Sequence, residues 1–433
     1  MKVYNNWGAL EGMQQKVTAQ KKITIPESGE ACDHYNRYKS DIALMKNLGF
    51  NSYRFSISWG KVMPECKIDK SNEDVLQHYE NVCQELVENG IQPIITLYYY
   101  THPVWFEKMG AFEKEENVRY FKEYCEMIFR RLNKYKPIFF TINTFAGGAF
   151  AGYYQAIRPP FKKDLKLAVK VLKNLLEAHV RVYRALKKID PDATIGIYKE
   201  ILPLEEKSST FTGSALSMFG GFIGSSPIEA AKKLKDSSIY EFFTKGILKI
   251  DVGLSSLGIG AKVNHENEEA IGAFDCIGLN YYSGSYLDNI TSVARKDCIS
   301  TEHDLYTIYP EGFEKALLQV SENLVEPLKK LKKNKRKEMP IYITENGIAT
   351  SDEQDREYYF KSHLSVLSKA LEKGLDIRGY IAWSLFDSYD WLGGYGLHYG
   401  LFAVNRDTQK RTLKEGACFF CDVVKNMESK NSK

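Results

Sequence analysis

The segment "VRYFKEYCEMIFRRLNKYKPIFFTINT", Val118–Thr144, carries two patterns in succession. Its first part reads as an amphipathic helix. Its end, Ile138-Phe139-Phe140-Thr141-Ile142, is an apolar run between Pro137 and Asn143, as a strand covered on both faces requires. The same order recurs along the chain. "NSYRFSIS" (Asn51–Ser58) follows "HYNRYKSDIALMKNLG", and "QPIITLYYY" (Gln92–Tyr100) follows "VLQHYENVCQELVENG". "TIGIYKE" (Thr194–Glu200) follows "LAVKVLKNLLEAHVRVYRALKKID". "FDCIGLNYYS" (Phe274–Ser283), "PIYITENG" (Pro340–Gly347) and "IRGYIAWSLFDSY" (Ile377–Tyr389) continue the series. Several helical stretches close on Leu-Gly, Asn-Gly or Lys-Gly stop signals. Strands alternating with helices predict a parallel sheet. Seven such units, with a candidate first strand near Tyr4–Leu10, predict an α/β fold: a (β/α)8 TIM barrel, one domain over residues 1–433.

Bulk properties narrow the function classes. The 433 residues are 44% hydrophobic and 26% charged, an ordinary globular composition. A net charge of +4 gives no reason to expect nucleic acid. No apolar run approaches the roughly 18 residues of a membrane span, and "MKVYNNWGALEG" lacks a signal-peptide core. Eight cysteines without framework spacing suggest reduced thiols and a cytoplasmic location. Cys418 and Cys421 form a single C-x-x-C inside an amphipathic helical pattern, better read as packing than as a redox or metal site. The basic run Lys329–Met339 reads as a solvated helix end. The Gly/Ser-rich Glu206–Pro227 reads as a long loop over one barrel face.

In such a barrel the functional groups sit at the C-terminal strand ends. The polar and aromatic residues there include Arg54, Ser58, Trp59, Tyr98 to His102, Asn143, Thr144, Asn280, Tyr282, Glu345, Asn346, Trp383, Asp387, Asp390 and Trp391. They contain no H-E-x-x-H, no G-x-G-x-x-G after a strand and no P-loop, so neither metal nor cofactor is expected. One central glutamate among phenols, indoles and amides suits a polyhydroxylated small molecule.

These strand-end motifs resemble glycoside hydrolase family 1, the retaining β-glucosidase family, over nearly the whole chain. "ACDHYNRYKSDIALMKNLGFNSYRFSISWGKVMP" is similar to its second-strand region, and "TLYYYTHPVWF" to its third. "GLNYYSGSY" is similar to its sixth and "YITENG" to its seventh. "GYIAWSLFDSYDWLGGYGLHYGLFAVNRDTQKRTLKEGA" is similar to its eighth strand and tail. The resemblance implies two carboxyl groups about 5–5.5 Å apart, one a nucleophile and one an acid/base. Glu345 takes the nucleophile position, with Arg54 and Tyr282 expected to hold its carboxylate. Asn143, Asn280, Trp383, Trp391 and Gln15 fall at sugar-binding positions.

Three positions depart from the family pattern. The acid/base glutamate expected in an Asn-Glu-Pro is Thr144, in Asn143-Thr144-Phe145. A hydroxyl cannot serve as a general acid near neutral pH, a loss of roughly 10²–10⁴-fold. A sugar-binding histidine is replaced by Tyr99, and a sugar-binding glutamate by the shorter Asp390. No phosphosugar-binding pattern is evident in "WLGGYGLHYG".

The readings that follow are an enzyme or transglycosidase of modified design, a sugar-binding pseudoenzyme, or a pocket rebuilt for different chemistry. Family members that cleave thioglucosides without a protein acid exemplify the first. His102, Glu107 or Asp387 supplying a relocated acid is a variant of it. A small-molecule glycoside is the expected partner, and no oligomeric state is implied.

Overall fold

The computed structural model describes residues 5–10, 14–16, 22–24, 27–206, 227–254, 259–288, 291–294, 297–303, 307–331 and 338–431. Seven strands form one sheet: β1 (Ser52–Ser56), β2 (Gln92–Tyr98), β3 (Ile138–Ile142), β4 (Ile195–Glu200), β5 (Cys276–Asn280), β6 (Ile341–Asn346) and β7 (Ile377–Ala382). Each is hydrogen-bonded to its neighbour in chain order, always parallel. Helices lie between them in sequence, the longest being Leu165–Ile189. Helix starts use side-chain caps: Asn72 accepts from Val75 N, and Asp164 from Leu167 N. The predicted stop glycines Gly49, Gly90 and Gly374 sit at positive φ, which only glycine adopts without strain.

The helix Val118–Leu132 shows how sequence makes the wall. Val118, Phe121, Tyr124, Cys125, Ile128, Phe129 and Leu132 are buried, a three-and-four spacing on one face. Phe129 meets Phe139 of β3 at 5.1 Å between rings. Inside the barrel, Ile94, Phe140, Tyr198 and Cys276 form a plug, with Phe140 stacked on Tyr198 at 4.3 Å. Gly196 is required there, because a Cβ would lie 2.4 Å from the Phe140 ring.

The wall is nearly closed but has seven strands among the described residues. The first strand expected near Tyr4–Leu10 does not form: Gly8–Leu10 is a single 3-10 turn, and Asn5 bridges to Pro103. The reason is local. Asn5 Oδ1 accepts from Gly8 N and Asn5 O from Ala9 N, which closes a turn instead of extending the chain. Tyr4 lies outside the described residues. In consequence β1 and β7 are only half-buried, while β3 and β5 are almost wholly covered. A cavity of about 480 Å³ lies between the two edge strands, lined by Tyr53, Phe55, Tyr380, Ala382 and others, and reaching Arg54 and Tyr99.

Residues 207–226 of the expected Gly/Ser loop, and 332–337 of the basic run, lie outside the described residues. Cys418 and Cys421 are free thiols on the helix Cys418–Asn431, and burial pushes the Cys421 thiol up to about 11. No helix among the described residues is long and apolar enough to cross a membrane.

Candidate active site

Strand alternation decides which side chains enter the mouth. On β5, Cys276, Gly278 and Asn280 point inward, and on β6 Tyr342 and Thr344 do. Regular alternation would then send Glu345 outward. A register slip at this point of β6 places Glu345, not Thr344, opposite Asn280. The irregularity re-aims the carboxylate into the barrel, a common use of a bulge beside a site.

Glu345 is 3% exposed. Its Oε1 accepts from Arg54 Nη1 at 2.5 Å and from Tyr99 Oη at 3.2 Å, and its Oε2 accepts from Tyr282 Oη at 2.6 Å. Arg54 spends its remaining donors on Tyr198 Oη, Thr96 Oγ1, the Thr344 carbonyl and Asn143 Oδ1. Burial alone would lower the guanidinium, but Tyr198, Glu345 and Tyr99 outweigh it and the balance is upward. Burial first, and then the Glu345 charge, hold the Tyr282 and Tyr99 phenols well above their ordinary value, so both remain donors. Asn280 Nδ2 donates to Asn143 Oδ1 at 3.0 Å and Thr344 Oγ1 donates to Asn280 Oδ1 at 2.7 Å. Arg54, Asn143, Asn280, Tyr282, Tyr99 and Glu345 thus form one network. Trp383 borders it, its ring parallel to Tyr99 at 5.9 Å.

The glycine of "YITENG" has a steric cause. A Cβ on Gly347 would fall 1.8 Å from the Trp383 carbonyl oxygen. Gly347→Ala is expected to displace the end of β7 and its indole, lowering stability by about 1–3 kcal/mol. Thermal unfolding measures the loss.

Thr144 closes the other side of the mouth. It sits at φ 52°, a costly conformation for a β-branched residue. Its hydroxyl is hydrogen-bonded to that of Tyr100, itself at φ 58°. The guanidinium of Arg158 lies 4.1 Å from the Tyr100 ring centre. Gly147 leaves the space these groups share. A Cβ there would stand 2.6 Å from Thr144 Oγ1, 3.1 Å from Tyr100 Oη and 3.2 Å from Glu200 Oε2.

Glu200 is absent from the strand-end set assembled from the sequence, although the same rule reaches it at the end of "TIGIYKE". On β4, Ile195 and Ile197 pack outward against the helices, while Gly196 and Tyr198 face the plug. Glu200 continues the inward set. Its side chain keeps solvent-exposed surface, although protein crowds its carboxyl. That crowding raises its carboxyl, Arg158 opposes the rise, and the Glu345 charge adds to it. Solvent from the mouth moderates the effect.

The relocated-acid candidates are engaged elsewhere. His102 Nε2 is 2.5 Å from Glu107 Oε2. Asp387 Oδ1 accepts from Lys414 Nζ and Gly400 N. Two sugar-site positions stand apart from the network. Asp390 Oδ1 accepts from Leu392 N and Gly393 N, capping its own turn. Trp391 stacks on Trp7 at 5.3 Å. Gln15 lies in the short strand Gln14–Lys16, opposite Ile23, and its side chain is outside the described residues.

Comparison with known proteins bears on this geometry. The family model described as Glycosyl hydrolase family 1 matches residues 8–429. Beta-glucosidase A of Thermotoga maritima is 30% identical over 421 residues, spanning 92% of this chain and 87% of that protein. The structure of a beta-glycosidase from Pyrococcus horikoshii superimposes with a TM-score of 0.78 at 29% identity, covering 97% of this chain and 89% of that one. A beta-glucosidase from Thermotoga maritima in complex with castanospermine gives 0.74 at 28% identity, covering 92% and 87%.

Proposed function

Because the chain belongs to glycosyl hydrolase family 1, we propose that it is a β-glycosidase acting through a covalent glycosyl intermediate on Glu345, with Thr144 standing where the acid/base glutamate is expected. The observation that carries this reading is the Glu345 carboxylate itself. It is buried at the barrel mouth beside a fully engaged arginine, with phenol donors on both oxygens. Hydrogen bonds from three sides fix its two oxygens and aim the group at one small volume.

In the first step a Glu345 oxygen bonds to the anomeric carbon as the bond to the leaving oxygen or sulfur breaks. In the second, water or another acceptor takes the sugar and frees the carboxylate. The Thr144 hydroxyl supplies no proton, so leaving groups that depart as stable anions gain most. The castanospermine complex of the Thermotoga relative supports a sugar-like small molecule as the ligand.

The test is the intact mass after incubation with activated 2-fluoro glycosides of glucose and galactose. One added fluoroglycosyl group, located on Glu345 by peptide mapping, is the expected result. Absence of any adduct would favour a sugar-binding protein without turnover. The Tyr99 phenol on the Glu345 oxygen is the observation on that side.

Tyr99 also sets a second prediction. Its ring takes space between Trp383 and Arg54, and its hydroxyl draws charge from the nucleophile. Tyr99→His is expected to speed labelling by the 2-fluoro glucoside about tenfold, equivalent to ~1.4 kcal/mol. Slower labelling would instead make the phenol part of the machinery.

A further inference from the structure

We infer that Glu200 is the displaced acid/base of this site, working from β4 where the family pattern would place a glutamate after β3. The inference rests on the reading of Glu345 as nucleophile. Register carries it first. Asn280 of β5 pairs with Glu200 on one side and with Glu345 on the other. The two glutamates therefore stand in one row, two strands apart, at the mouth of the barrel. Backbones two strands apart are roughly 10 Å from each other. Glutamates leaning inward from that separation can close to the ~5–5.5 Å of a retaining pair.

Space carries it second. Threonine ends at Oγ1, and beside Oγ1 the protein holds a carboxylate from the next strand. Thr144 Oγ1, Tyr100 Oη and Glu200 Oε2 converge around the missing Cβ of Gly147. Threonine is shorter than glutamate, and the Glu200 carboxylate borders the point where its side chain ends.

The surroundings suit a group that both gives and takes a proton. Glu200 is faced by Arg158, Lys199, Lys235 and Glu345, with the Tyr100 phenol nearby. Protein crowding and the Glu345 charge favour the neutral acid, and the three cations favour the carboxylate. Lys199 is committed to Asp236 and to the carbonyls of Glu200 and Lys235, so it is a distant influence. In the first step the Glu200 proton passes to the glycosidic oxygen as its bond to the anomeric carbon breaks. Glu345 takes over that carbon, and the leaving group departs as an alcohol. In the second, the Glu200 carboxylate takes a proton from water as the water oxygen bonds to the anomeric carbon. Glu345 leaves as carboxylate, and glycoside plus water has become sugar plus alcohol.

The experiment compares wild type, Glu200→Gln and Glu200→Asp on dinitrophenyl and phenyl β-glucosides, with and without azide. Dinitrophenyl 2-fluoro glucoside labelling of each is followed by mass. A dinitrophenolate leaves without a proton, so Glu200→Gln should be labelled within about threefold of wild type, which also shows that the site is folded. Its turnover of the phenyl glucoside should fall by roughly 10²–10⁴-fold. Azide should restore turnover of the dinitrophenyl substrate and yield the β-glycosyl azide. The alkaline fall of the wild-type rate, where Glu200 loses its proton, should disappear. Glu200→Asp retains a carboxyl and should keep azide-independent turnover. Normal labelling with wild-type turnover and an unchanged pH profile in Glu200→Gln would overturn the assignment. Equal azide dependence in the Asp and Gln variants would do the same, as would loss of labelling in the Gln variant alone. Absence of labelling in wild type would instead remove the underlying reading of Glu345. The double variant Thr144→Glu/Glu200→Gln, which returns a carboxyl to the neighbouring strand, should recover phenyl glucoside turnover at least tenfold over Glu200→Gln.

Discussion

Glu345→Gln should yield no fluoroglycosyl adduct and lose on the order of 10⁴-fold or more in turnover, since removing the proposed nucleophile leaves only binding and electrostatics. The amide matches the carboxylate in size, so lost packing is not the cause. What changes is charge. With the amide oxygen at the Oε1 position Tyr99 keeps its acceptor, while the Tyr282 hydroxyl faces an NH2 and Arg54 loses its anion. Its side chain is 4% exposed. Removing one partner of a buried pair typically costs about 3–5 kcal/mol. Arg54 retains Tyr198, Thr96, Asn143 and the Thr344 carbonyl, which places the variant at the lower end. Denaturant unfolding reads the stability loss, and intact mass reads the chemistry. An adduct on another carboxylate in this variant would show that the nucleophile had been misassigned.

Arg54→Met is the companion case and should be the more damaging to the fold. From β1 the guanidinium fork reaches β2, the end of β3, β4 and β6 at once, through Thr96, Asn143, Tyr198, Thr344 and Glu345. Methionine fills part of the volume but supplies no donor. Glu345 is then a buried carboxylate facing two phenols, and Asn143 Oδ1 keeps only Asn280. A loss of about 4–5 kcal/mol is expected, with labelling slowed by more than about 10²-fold. Arg54→Lys should not rescue it, because a point charge cannot span that fan of acceptors. The double variant Arg54→Met/Glu345→Leu removes both charges and should be more stable than either single change. A thermodynamic cycle in urea measures the coupling. Additive effects of the two changes would show that the pair contributes nothing jointly.

Much of the barrel was legible in the chain because it is local. Seven apolar runs between amphipathic stretches give seven strands, and the stop glycines fall where the helices turn left-handed. The expected first strand failed for an equally local reason, the Asn5 turn, which the apolar residues of Tyr4–Leu10 conceal. Glu345, Arg54, Tyr282, Asn143 and Asn280 were found as strand ends, and the fold brings them into one network. Asp390 and Trp391 were placed by motif alone, and each is engaged by its own neighbourhood: a capped turn and a stacked indole.

What the sequence by itself determined is the family, the alternation of elements, and the presence of a threonine, Thr144, at the end of β3. Each depends on residue types at fixed spacings, which are properties of a line. Only the tertiary structure decided that Glu345 turns inward through a slipped register, that Tyr99 bonds to it, and that Glu200 lies beside Thr144. Thr144 and Glu200 are 56 positions apart in the chain and meet because β3 and β4 are neighbours whose ends share a mouth. Side-chain direction in a strand has a period of two, and one irregular residue inverts it. That inversion leaves no mark on composition or motif, so whether a carboxylate faces the site or the helices is settled in three dimensions.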